Sequence, residues 1–105
     1  MFSGGDYEEV GRWLVNFVAA HAKREWTIAE AVVETAGTRE GRSYGVRVQL
    51  GQRRLPPDDQ EPIELSFPDV AARRGSLAWC NDLAARVRGL VRQLLAASQD
   101  ARQHA

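Results

Sequence analysis

Near the start of the chain apolar residues recur at spacings of three and four: Tyr7, Val10, Leu14, Phe17 and Val18, with Trp13 on the flank. At about 3.6 residues per turn this spacing makes one stripe along a helix. Asp6 stands where an N-cap carboxylate accepts a backbone N–H, and Glu8 and Glu9 suit the positive helix end. The pattern predicts a helix from Asp6 to about Lys23. The next segment, WTIAEAVVETA at 26–36, supports two readings. Thr27 with Glu30 fits a capping box that starts a short helix. Val32, Val33 and Thr35 favour extended backbone, and the GTREGRS that follows is a glycine-bearing hairpin connector. We read a strand.

Tyr44, Val46, Val48 and Leu50 then alternate with Gly45, Arg47 and Gln49, a period of two. QRRLPPDDQ follows as a loop, because paired prolines cannot donate ladder hydrogen bonds and aspartates favour turns. Ile63, Leu65 and Phe67 alternate with Glu64 and Ser66 as a third strand. Pro68 ends it and opens one short helical turn through Arg73, broken at Gly75. Ser76 caps a long last helix with the stripe Cys80, Leu83, Ala84, Val87, Leu90, Val91, Leu94 and Leu95. The tail from Ser98 is expected to fray. The order is α-β-β-β-α, an α+β fold with a three-stranded antiparallel sheet and two helices packed on one face. Ala31, Val33, Val46, Val48, Ile63 and Leu65 form the expected core face. Glu30, Glu34, Arg47, Gln49 and Glu64 point away, onto a face expected to be wet.

The 105 residues suit one domain, 1–105, with flexible ends at 1–5 and 98–105. At 44% hydrophobic and 27% charged, the composition is that of a folded soluble chain. The apolar stretch from Trp13 to Ala20 is interrupted by Asn16 and too short to cross a bilayer. No basic segment followed by an apolar run opens the chain, so we expect a cytoplasmic protein without a membrane partner. Net charge is zero, which gives no overall pull toward nucleic acid or anionic lipid. From Pro68 onward, six arginines stand against Asp69, Asp82 and Asp100, a surplus that the first part of the chain balances. Lys23 is the only lysine, a bias that looks like the codon usage of a GC-rich, bacterial genome.

Candidate chemistry is sparse. His21 falls in the apolar stripe of the first helix, where the ordinary role is a structural histidine at the core margin. The other histidine, His104, lies in the tail. Without clustered histidines or a CxxC, zinc has no ligand set, and we expect no cofactor. Cys80, one turn into the last helix, could be activated by the positive helix end, but its place in the apolar stripe suits a small buried hydrophobe. A small enzyme would need a pocket around His21 and Cys80 with a third, orienting group, which the sequence does not supply. GTREGRSYG joins two strands rather than leading into a helix, so it is no phosphate loop. Glu30, Glu34 and Glu64 share a shallow face, whereas acid–base pairs need a pocket. The expectation is a protein without catalysis.

Two surfaces remain. The helix, three strands and helix from Asp6 to Leu95 resemble the double-stranded-RNA-binding domain in element order. That resemblance implies RNA contacts from the first helix, from the loop after the first strand and from the start of the last helix. The matching positions here are Arg39 and Arg42 in the loop and Arg73 and Arg74 before the last helix. The family's lysine cluster and its basic charge are missing, and duplex RNA is the alternative partner. On a wheel at about 100° per residue, Arg88 and Arg92 flank one side of the last helix's stripe and Arg86 the other, so these cations do not form one patch. Opposite the stripe run Ala78, Ala85, Gly89 and Ala96, a ridge of small residues with Trp79 near its edge. Gly89 costs an exposed helix about 1 kcal/mol relative to alanine, and close approach of a second helix would account for it. We therefore expect a small binding or assembly module, with a protein partner or a second copy on the last helix or the open sheet face.

Overall fold

The computed structural model describes residues 6–103, with side chains placed as far as Ala97. The expected loose segment 1–5 lies outside the described residues, as do the last two residues of the tail. Asp6 caps the first helix, α1 (Tyr7–Glu25), its Oδ1 accepting from the Glu9 N–H at 2.7 Å. The helix stops at Trp26, whose backbone is extended. A short turn follows, tied down by Lys23, whose Nζ donates to the Ala29 carbonyl at 2.8 Å. Extended backbone then resolves the open question at 26–36, since β1 (Glu30–Glu34) is a strand. Its branched residues pack on a pleat instead of crowding a helical turn.

β2 (Ser43–Leu50) is the centre of an antiparallel sheet of four strands rather than the expected three. Ala31 lies opposite Val48 and Val33 opposite Val46, so β1 and β2 share one apolar face. On the other side of β2 the expected loop holds a further strand, β3 (Arg53–Leu55), with Val48 opposite Leu55. Gly51 makes this hairpin, taking a φ of 64° that a side chain would resist. Pro56 and Pro57 end β3 after three residues. β4 (Ile63–Ser66) then resumes pairing along the same side of β2, with Ile63 opposite Val46. The expected third strand is thus broken in two by an excursion at 56–62.

Ser66 caps α2 (Phe67–Arg73), its Oγ accepting from the Asp69 N–H at 3.2 Å, with Pro68 in the first turn. Ser76 Oγ receives the Trp79 N–H at 3.4 Å where α3 (Leu77–Gln103) begins. α3 continues past Ser98, where fraying was expected, because no glycine or proline after Gly89 stops it and its residues are good helix formers. Contacts fall in the same order along α1 and α3, Trp13 with Trp79 and Glu25 with Arg88, so the two helices run parallel. Between them and the sheet lie Val10, Leu14, Val18, Tyr44, Val46, Val48, Val87 and Val91, all fully buried. The expected face is the real one, extended by Tyr44. That ring stacks on Tyr7 at 4.7 Å and donates its hydroxyl to the Tyr7 carbonyl at 2.7 Å.

Candidate functional site

The outer face of the sheet departs most from expectation. Arg47 points away from the core as foreseen, yet it is 4% exposed instead of wet. The excursion at 56–62 folds over it: the guanidinium donates to the carbonyls of Pro56 at 2.7 Å, Pro57 at 2.6 Å and Gln60 at 3.0 Å. Its Nε donates to Glu34 at 2.8 Å. Glu34 also lies 3.6 Å from Arg39, which in turn binds Glu64 at 3.0 Å. Gly45 leaves room for this network, since a Cβ there would come within 2.8 Å of Pro62 and 2.9 Å of the Arg39 side chain. Burial alone would raise the Glu64 pKa, but hydrogen bonds from Arg39 and Ser43 hold it below its ordinary value. Glu34 and Glu64 are therefore ion-paired, not merely solvated, and this face is a polar, partly covered surface.

The four arginines named for nucleic acid are not gathered. Arg39 turns onto the outer face, toward Glu64 and Glu34. Arg42 sits at the start of α2, where its carbonyl accepts the Phe67 N–H, while Arg73 and Arg74 sit at the other end, about 10 Å of helix away. Arg73 lies 4.0 Å from Asp69, and Arg74 is 3.5 Å from Glu9 of α1. A phosphate groove needs converging cations. On the last helix, Arg88 and Arg92 both clasp Glu25 of α1, at 2.8 and 3.0 Å, whereas Arg86 lines the opposite flank with Pro56 and Ile63. The Arg92 and Arg88 hydrogen bonds hold Glu25 below its ordinary pKa.

His21 and Cys80 do not meet. The pairing of Trp13 with Trp79 sets the level of Cys80, and His21 lies eight residues further along α1, about 12 Å. His21 packs on Phe17 with ring centres 4.5 Å apart, and its buried Nδ1 has no hydrogen-bond partner among the described residues. Burial first, then Arg24 and Arg88, lower its pKa from 6.5. The Cys80 thiol donates to the Arg74 carbonyl at 3.4 Å. The small-residue ridge of α3 does face outward, with Ala78, Ala85 and Ala96 exposed and Gly89 half-covered. A Cβ on Gly89 would meet nothing within 4 Å among the described residues, so no contact with them requires glycine there. Trp79 is half-buried and belongs to the α1–α3 seam through Trp13.

The surface that the sequence reading passed over is the other border of α1. Among the described residues, β1 pairs with β2 on one side and with no strand on the other. Beside it, Tyr7, Gly11 and Val15 of α1 and Val33 of β1 line an apolar trough of about 290 Å³, with Glu8 and Arg12 on its rim. Val15 is 39% exposed. Where α1 turns into β1, Trp26 is 47% exposed and Ile28 61%. At the opposite end, Glu40 and Thr35 border the continuation of the trough past Tyr7. Hydrophobic periodicity leaves Val15 outside the stripe of its helix and assigns Val33 to the core. Only strand order reveals that both border the sheet's open edge.

Comparison with known proteins finds no family model, curated protein or solved structure that matches this chain. Among the described residues no helix is long and apolar enough to cross a membrane.

Proposed function

We propose that the protein is a non-catalytic binding module that receives a polypeptide at the free edge of β1. The observation that carries this reading is a strand edge bordered by an apolar trough. Edge strands present unpaired N–H and C=O groups on which another chain can pair, and proteins limit this with short strands, charged side chains, proline, bulges or a covering element. β1 carries Glu30 and Glu34 at its ends and Ala31, Val32 and Val33 between, with apolar surface alongside. Main-chain pairing would give affinity and the trough would select side chains. Selection of random displayed peptides, followed by amide chemical-shift mapping of the bound ones, tests the assignment. The expected result is perturbation centred on residues 30–35 and 7–15. Binders that map to α3 alone, or none at all, overturn it.

Self-association through α3 is a second reading, favoured by the open space around Gly89. Light scattering of the protein and of Gly89→Arg checks it: a dimer that the variant abolishes supports the ridge, and a monomer at high concentration removes it. For duplex RNA, the pairing of Arg39, Arg73 and Arg74 with carboxylates leads us to expect no mobility shift, even at low salt.

A further inference from the structure

We infer that the segment received at the β1 edge is extended and alternates apolar side chains with lysine or arginine. This rests on the β1-edge reading above and adds the chemistry of the partner. A strand laid along β1 continues the pleat, so its side chains fall alternately on the helix-covered face and on the outer face. On the helix-covered face they enter the trough between Val15 and Val33, which suits apolar groups. On the outer face they stand beside Glu30, Val32 and Glu34. Glu34 is already shared by Arg47 and Arg39, but Glu30 is exposed and has no ion pair among the described residues. Glu8 and Glu40 add exposed negative charge along the trough, against Arg12. Opposite charges across a strand pair stabilise it and like charges destabilise it, so this edge favours a cationic outer row.

The same carboxylates disfavour a second copy of the chain. Twofold antiparallel pairing of β1 with itself, centred on Val32, sets Glu30 of each copy opposite Glu34 of the other. A heterologous basic segment meets no such repulsion.

The test titrates the whole protein with three short labelled peptides: one alternating lysine and valine, its glutamate–valine counterpart, and one with the lysines grouped at one end. Fluorescence anisotropy at low salt reads the binding. The alternating lysine peptide is expected to bind and the other two to bind at least about tenfold more weakly. Val15→Arg, a change at an exposed site, places charge in the trough and weakens binding by about tenfold. Glu30→Lys weakens it by about fivefold, and added salt has the same direction of effect. If the glutamate peptide binds as well as the lysine peptide, the basic alternation is wrong while the edge remains a strand acceptor. If no peptide binds, or if Val15→Arg leaves binding unchanged, both readings fall.

Discussion

Arg47 carries a full charge at a position 4% exposed, and what makes that tolerable is the number of acceptors turned toward it. Three backbone carbonyls and the Glu34 carboxylate satisfy its guanidinium, and in return it fastens the excursion at 56–62 to the sheet. Removing one partner of a buried charged network strands the others, at a cost of about 3 kcal/mol. Arg47→Met is therefore expected to lower stability in urea denaturation by about that amount and to speed amide exchange at 56–62. Arg73→Ala, at an exposed pair, is expected to change stability by less than about 0.5 kcal/mol. His21 supplies a different prediction. Its pKa is lowered on folding, so as pH falls the unfolded chain takes up a proton near 6.5 before the folded one does. Stability present above that pH is lost as pH drops toward the folded pKa. His21→Phe is expected to flatten the pH dependence of the melting temperature as pH falls below about 6.5. Loss attributable to Glu25 and Glu64, whose folded pKa values lie below 4.5, comes at lower pH and persists in that variant.

Elements divide by how much each depends on its neighbours. α1 and α3 are legible from periodicity and caps alone, because a stripe that must be buried leaves a regular trace at helical spacing. The Asp6 and Ser76 caps bond as their positions imply. β3 was missed because three residues hold too short an alternation to count, and the prolines after it read as loop. The Gly51–Gln52 turn was the available sign of a hairpin. Because a Cβ on Gly89 meets open space, Gly89→Ala is expected to raise stability by about 1 kcal/mol in thermal melts of the monomer. A dimer whose melting instead falls on that substitution would show the ridge in use.

At the level of the molecule, strand order decides which surfaces exist. With β2 central, β1 becomes an edge, and α1, which packs over it, leaves a trough open on its outer border. On the far side of β2 the broken strand β3–β4 throws its connecting segment across the outer face, which closes a surface that alternation alone marks as open. The arginines of the last third of the chain are dispersed in the same way. Arg74, Arg88 and Arg92 find their carboxylate partners on α1, in Glu9 and Glu25, while Arg73 pairs with Asp69 of its own helix. The basic surplus read along the chain is thus offset locally in space.

The elements that burial makes periodic are written in the order of residues: both long helices, three of the strand segments, the apolar face of the sheet and the outward ridge of α3. These follow from local spacing, because side chains that must leave water recur with the period of the backbone that carries them. The surroundings of Arg47, Val15 and Glu34 are set by the packing of the whole fold. They come from segments distant in the chain, brought together by strand pairing that no local pattern encodes.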